Sequence, residues 1–382
     1  MAEPVLSIVI PVLNERDTLP ALVASLDAQR GVAFEVVAVD GGSDDGSLEA
    51  LEGLAAQANF PFRILRSERG RARQLNAGVA IARGEYLLFL HADSRFERAE
   101  ALATGLAALK QECQLRGSRR VAGHFPLRFS RLGDSPSLSY YYYEAKACLD
   151  RPGCTHGDQG FLMGRSFFED VGPFDSDLGL LEDTLLAETI RREGAWVLLP
   201  LEISTSARRF EAEGLFERQV LNALIMNSVF IGWTACLAEL PGLYRSQGRT
   251  ERLRLLPFLR KFREILKSLP LRQRLLIWYR TGGYVRPNAW QIAFFFDVRR
   301  NFRKGIPPGE GRTSVLDAFE PWFERLTDHP PGRAAAALLT RIWFCCAHLY
   351  ALAVEGTMGR KAGAAKSTPR SVNVENKDEE GE

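Results

Sequence analysis

Four short apolar runs divide the first hundred residues, and each stops at a polar or turn-forming cluster. LSIVIP (residues 6–11) runs into Asn14-Glu15, and FEVVAVD (34–40) into Gly41-Gly42-Ser43-Asp44-Asp45. FRILR (62–66) leads to Arg69-Gly70-Arg71-Ala72-Arg73, and YLLFLH (86–91) to Ala92-Asp93-Ser94. Residues 18–30, 48–56 and a stretch ending at Ala82 have helical spacing. Runs that are apolar at successive positions read as strands covered on both faces. Their alternation with helices predicts a mainly parallel α/β sheet, flanked by helices.

Beyond Ser94 the pattern loosens. It predicts a helix over 95–115, a strand over 121–129, a short strand over 158–164, a helix over 182–193 and a strand over 195–200. The aromatic run Tyr140–Tyr143 reads as packing, or as a wall of a cleft. After Gly214 nearly everything reads as helix. We place a catalytic domain at 1–240, a basic helical extension at 241–360 and a disordered tail at 361–382.

The chain has 382 residues, enough for one large or two ordinary domains. Its net charge is only +2, but residues 245–304 hold sixteen Lys or Arg against three Asp or Glu. That segment therefore carries thirteen excess positive charges, and the rest of the chain a net −11. Apolar residues within it (Leu253, Leu256, Leu259, Phe262, Leu266) recur at helical spacing, so one face should pack inward. The other face is either solvated or touches an anionic surface, such as a membrane. No reading motif accompanies the charge, so nucleic acid is not an expected partner. Six cysteines lack metal-ligand spacing and read as reduced thiols, which fits a cytoplasmic protein, peripheral to the membrane at most. The N-terminal apolar run lacks a basic lead-in and reads as a first strand rather than a signal sequence. Two longer apolar stretches, 220–240 and 334–354, contain polar or charged residues and are expected to be buried helices.

In a parallel sheet the strand ends lie side by side, and ligands bind beyond them. Pro11, Asn14 and Glu15, then Asp40, then Arg71, Arg73 and Asn76, then Asp93 are thereby gathered around one crevice. Asp40 can accept the ring N–H of a pyrimidine base. Arg71 and Arg73 can reach phosphate oxygens through forked donors. Asp93 can hold a divalent ion facing a diphosphate. A dinucleotide-binding oxidoreductase is a poor fit, because its Gly-rich turn belongs after the first strand, where this chain has Asn14-Glu15. Further along, Asp158-Gln159 precede a strand. Glu182-Asp183 open a helix, where they can cap it or turn one carboxylate to the crevice as general base. Arg208-Arg209 follow a strand and can close over a diphosphate.

The stretches PVLNE, VDGGSDDGS, RGRARQLNAG, FLHADS, GDQGFLMGRSFFEDVGPFD, LEDTLLAETIRREG and TSARRFEAEG together resemble family 2 glycosyltransferases of the GT-A fold. Their wording is similar to a bacterial subgroup linked to arsenosugar, radical-enzyme and selenium gene clusters. The resemblance implies an inverting transfer from a nucleotide-diphospho-sugar, with a UDP-sugar the expected donor, to an unidentified acceptor hydroxyl. It implies Asp40 at the base, Arg71 near the donor and Asp183 as catalytic base. Asp93 would ligate Mg²⁺ or Mn²⁺, and Asp158, Gln159 and Glu182 would position the acceptor. Two departures stand out: His91 replaces the first Asp of the Asp-X-Asp motif, and Gly41 replaces a second Asp after the second strand. Two alternatives remain at this stage, a nucleotidyltransferase acting on a sugar phosphate and a non-catalytic scaffold that binds nucleotide sugars.

Overall fold

The computed structural model describes residues 3–133, 135–177, 179–245 and 252–366. The chain divides into two compact units. The first holds residues up to 209 together with 291–319, and the second holds 210–290 and the chain from 320 onward. This division differs from the sequence-based boundary at 240, and it returns a C-terminal segment to the first unit.

The first unit is built on strands β1 (Leu6–Val12), β2 (Phe34–Asp40), β3 (Phe62–Arg66), β4 (Tyr86–Phe89), β5 (Val121–His124), β7 (Phe161–Gly164) and β8 (Ala195–Leu198). They form one sheet in the order β3-β2-β1-β4-β7-β5-β8. β3, β2, β1 and β4 are parallel, and β8 is parallel to β5. β7 is antiparallel to both its neighbours. This is a mostly parallel sheet with helices on both faces, the arrangement the resemblance implies.

The apolar runs are continuous because both faces are covered. Ile8, Ile10, Val36, Ala38, Leu88 and Leu90 enter one core, closed by α1 (Leu19–Asp27), α2 (Ser47–Gln57) and α4 (Ala101–Arg116). Val9, Leu87, Phe89, Phe161 and Met163 enter the other. That core is closed by α3 (Arg71–Ile81), α6 (Arg165–Val171) and α7 (Glu182–Glu193). Helix α5 (Leu138–Ala147) carries the aromatic run. Its Tyr141 hydroxyl donates to the Ile306 carbonyl at 2.7 Å, and Tyr142 packs on Phe294. The tyrosines therefore pack against the returning C-terminal segment.

Two elements differ from expectation. The strand over 121–129 is two strands. β5 joins the main sheet, whereas β6 (Leu127–Ser130) pairs with β9 (Ile203–Ser206) in a separate ribbon. The break falls at Phe125-Pro126, where Phe125 donates to Gln159 and proline has no N–H to continue a ladder. The helix expected from 95 begins only at Ala101, because the Arg95 backbone is paired with Ser204.

The second unit is helical. It includes α9 (Leu215–Phe230), α10 (Leu240–Arg245), α11 (Leu255–Ser268), α12 (Leu271–Val285) and α15 (Pro330–Lys366). The short α8 (Arg208–Glu213), α13 (Trp290–Arg303) and α14 (Ser314–Thr327) complete the chain. Leu253, Leu256, Leu259, Phe262 and Leu266 are buried, as their spacing requires. The expectation for 334–354 is corrected. Only 28% of the apolar stretch within Pro330–Glu355 is buried, so most of that stretch faces outward. The expected disordered tail begins too early, since 361–366 continue α15. Its remainder, and residues 246–251 of the basic segment, lie outside the described residues.

One side chain ties the first two strands together where the site begins. Gln74, 2% exposed, donates from its amide nitrogen to the carbonyls of Val12 and Val39, each at 2.7 Å. Gln74→Ala leaves two interior carbonyls without a donor. It should destabilise the first unit by about 2 kcal/mol, read as a lower urea midpoint with an unchanged slope.

Candidate active site

The loops after β1 and β2 are sewn together by side-chain oxygens. Asn14 sits at φ +57°. Its N–H donates to Ser43 Oγ at 2.9 Å, and its side-chain carbonyl accepts the Asp44 N–H at 3.0 Å. Left-handed backbone is tolerated by Asn better than by most residues. Asp40 is 2% exposed and accepts the N–H groups of Gly42 and Ser43, which fixes the turn beside it. Gly41 has a local cause. A Cβ there would stand 2.9 Å from three atoms of the Gln74 amide group.

After β4, the Ser94 N–H closes a turn on the His91 carbonyl, leaving Asp93 at its tip. Asp93 accepts from Thr205 Oγ1 at 3.4 Å. Desolvation and the neighbouring Glu15 carboxylate push its pKa up, opposed by the Arg208 guanidinium. Arg208 itself pairs with Glu15 across the crevice. Glu15, Asp93 and Arg208 thus meet although they are distant in sequence.

The second cluster forms where β7 and α7 begin. Because β7 is antiparallel, the segment before it, rather than after it, arrives beside the end of β4. Gly157 donates its N–H to Asp183 Oδ2 at 2.7 Å, and Asp183 Oδ1 accepts the Thr184 N–H at 2.7 Å. A Cβ on Gly157 would stand 2.9 Å from both Asp183 Oδ2 and His91 Nε2, so only glycine lets these groups converge. Glu182, 4% exposed, accepts from Arg71 at 3.1 Å. Leu181 holds φ +60° just before them, a conformation costly for a branched side chain that fixes the direction of the two carboxylates.

The electrostatics separate these groups. Desolvation lowers the His91 pKa to about 3, helped by Arg71, and desolvation also lowers that of His156. Both imidazoles are therefore uncharged near neutrality. Desolvation alone would raise the Asp183 pKa, but His156, Arg71, the Gly157 N–H and His91 together hold it below the usual carboxylate range. With the imidazoles neutral, the positive charge facing Asp183 is that of Arg71. Asp158 behaves in the opposite way. Desolvation, then Asp183 and Asp93, push it up to about 7, and its Oδ1 is sealed from solvent without a hydrogen-bond partner. One carboxylate stays ionised and its neighbour holds a proton near neutrality, the division of labour that acid–base sites use.

Several expected residues are engaged within the fold. Both polar ends of the Asn76 amide are taken by the Phe174 backbone, at 2.9 and 3.0 Å. Gln159 is fully buried. It donates to the Ala147 carbonyl and accepts from the His156 N–H. Arg73 pairs with Glu68 at the surface, and Pro11 is part of β1, in register with Val39. Arg209 directly follows Arg208 in α8. Sequence reasoning did not find His156, whose Nδ1 lies 3.1 Å from Thr184 Oγ1, or Thr205 on β9. The ion pair of Arg71 with Glu182 was also missed, although positive charge at a helix start calls for a nearby carboxylate.

A cation site can be tested against these residues. Among the described residues no three His, Cys, Asp or Glu form a group able to hold a metal ion. Asp93, raised by an adjacent carboxylate, fits an ion that takes its remaining ligands from phosphate oxygens and water.

The family model described as glycosyl transferase family 2 matches residues 7–172. A PGL/p-HBAD biosynthesis glycosyltransferase of Mycobacterium bovis is 31% identical over 186 residues, spanning 48% of this chain and 68% of that one. An uncharacterized glycosyltransferase of Mycobacterium tuberculosis is 27% identical over 218 residues, spanning 56% of this chain and 77% of that one. Among solved structures, a mannosyltransferase from Pyrobaculum calidifontis in complex with GDP-Man and Mn²⁺ aligns over 90% of this chain and 88% of that one. Its identity is 17% and its TM-score 0.46, too loose a likeness to argue from.

The opposed titrations give a measurable signature. Asp158 is pushed up to about 7, well above the usual carboxylate range, so it favours folding at low pH, and that contribution is lost as pH rises through about 7. His91, lowered to about 3, works the other way and favours folding as pH rises above that value. Asp158→Asn should therefore be more stable than the parent at pH 8. The difference should shrink toward pH 4, as read by urea unfolding at a series of pH values.

Proposed function

The chain belongs to glycosyl transferase family 2, and on that premise we propose that the first unit transfers a sugar from a nucleotide-diphospho-sugar to an acceptor hydroxyl with inversion at the anomeric carbon. The observation that carries this reading is Asp183, ionised and held by two backbone N–H groups beside the strand end that bears Asp93. Family membership sets aside the nucleotidyltransferase and scaffold alternatives.

In this reading Asp40 and the Asn14–Ser43 loop take the base, and a pyrimidine makes UDP the expected nucleotide. Arg71, Arg208 and Arg209 face the diphosphate. Asp93 would hold Mg²⁺ or Mn²⁺, which when bound neutralises charge developing on the leaving diphosphate. Asp183 takes the proton of the acceptor hydroxyl. The oxygen attacks the anomeric carbon, the bond from that carbon to the phosphate oxygen breaks, and the nucleoside diphosphate departs on the opposite face. Asp158, still partly protonated near neutrality, stands behind Asp183 and positions the acceptor side of the site. Glu182 holds Arg71 in place rather than touching substrate.

Neutral His91 suits this chemistry. An aspartate there would add a second negative charge beside Asp183 and raise the pKa of the base. A neutral imidazole leaves Asp183 ionised, and it leaves Asp93 as the one protein carboxylate of that motif facing the ion.

Asp183→Asn keeps one of the two backbone hydrogen bonds, turns an amide N–H toward the other donor and cannot accept a proton. Turnover should fall by roughly 10²–10⁴-fold, while the donor-induced thermal shift with Mn²⁺ persists. Asp93→Ala should lose that metal-dependent shift as well as turnover. Screening UDP- and GDP-sugars by thermal shift with and without Mn²⁺ identifies the donor. Full turnover by Asp183→Asn would remove it as the base.

A further inference from the structure

Helix α15 packs along one narrow stripe. Ala337, Phe344, Ala347, His348 and Ala351 are buried, and they share one side of the helix. Partners for that stripe come from α11 and α12. Gly282 of α12 lies so close to α15 that a Cβ would stand 2.1 Å from the Arg333 carbonyl, and Trp278 packs on Phe344 at 5.9 Å. Over the rest of residues 330–354 exposed apolar side chains predominate, interrupted by Arg333 and Arg341. Leu338, Leu339, Ile342, Trp343, Leu349 and Tyr350 are each at least 41% exposed. They spread over about half of the helix circumference at 3.6 residues per turn. Nearby α12 adds Leu271, Leu275, Leu276 and Tyr279, also exposed. Soluble monomers rarely leave so long an apolar face open to water.

The charges of α11 and α12 that lack an ion-pair partner among the described residues have one sign. Residues 252–290 hold ten Arg or Lys and a single acidic residue, Glu264. Arg252, Arg254, Lys261 and Arg286 are spoken for by carboxylates. Exposed Arg260, Arg263, Lys267, Arg272 and Arg280 have no carboxylate partner among the described residues. Arg263 and Arg260 lie close enough to α15 to add to the desolvation that lowers the pKa of His348. An exposed apolar helix face rimmed by unneutralised arginine matches the chemistry of a bilayer interface with anionic headgroups.

We propose that the second unit docks on an anionic lipid surface. The outer face of α15 and the first turns of α12 enter the headgroup–acyl boundary, and the arginines and lysines of α11 and α12 meet phosphates. The docking is in-plane rather than transmembrane, although Pro330–Glu355 is 26 residues long. A spanning α15 would carry α11 into hydrocarbon along its buried stripe, and the outer side of α11 holds Arg260, Lys261, Arg263 and Lys267.

The test uses the full chain with vesicles of phosphatidylcholine alone or mixed with phosphatidylglycerol. Cosedimentation with the anionic vesicles is expected, at least ~10-fold above the neutral ones and falling with salt. Leu338→Asp with Ile342→Asp, both at exposed positions, should abolish sedimentation and leave circular dichroism and thermal unfolding unchanged. Arg260→Gln with Arg263→Gln should lower partition by roughly thirtyfold. Equal binding to both vesicle types, or none to either, would overturn the proposal. So would resistance of the bound protein to alkaline carbonate extraction, which marks a spanning helix. A lipid-free dimer that Ile342→Asp disperses in sedimentation velocity would assign the face to a second copy instead.

Discussion

The hydrogen bond from the Gly157 N–H to Asp183 Oδ2 joins the two parts of the site that the sheet alone would leave separate. The four parallel strands deliver Asn14, Glu15, Asp40, Arg71 and Asp93 in the manner of any open α/β sheet. They do not deliver Asp183. That carboxylate arrives on α7, and its position depends on the segment leading into the antiparallel strand β7. Gly157 meets it there because a hydrogen is all that fits between Asp183 and His91. The same contact has an electrostatic effect. An ionised carboxylate in a desolvated crevice needs donors and a counter-charge, and the Gly157 and Thr184 amides with Arg71 supply both.

Much of this was legible in the amino-acid sequence, for a physical reason. β1, β2 and β4 are buried on both faces, so they are written as uninterrupted apolar runs, and their ends are marked by turn chemistry. Asp93, Glu15, Arg71 and Asp183 come together where that reading puts them. β7 was harder, since an antiparallel strand brings its beginning to the ligand edge. The residues that matter then precede the strand, and His156 gives no sign of its place. Asn76 and Gln159 show the converse. A buried amide next to a site can be there to satisfy backbone carbonyls and N–H groups, and nothing in its local sequence separates that task from ligand binding.

The C-terminal half marks a different limit. α11 was readable because its period is clean, with Leu256, Leu259, Phe262 and Leu266 on one side and charges on the other. For α15, an apolar stretch interrupted by Arg341 and His348 reads as a core helix. Hydropathy reports what a helix can bury and carries no information about what is there to cover it. Only the positions of α11 and α12 reveal that a single stripe is used.

Gly41 and Gln74 carry a consequence for the family. The Gln74 amide occupies the volume that a side chain at 41 would need, and it earns that place by bonding carbonyls near the ends of two strands. The two positions are therefore not free to drift separately. A homologue with aspartate after the second strand must shorten or redirect the residue at the fourth position of the Arg-rich helix α3, and must find another donor for those carbonyls. The departure at 41 is then half of a paired exchange, and aligned sequences should show the pair changing together.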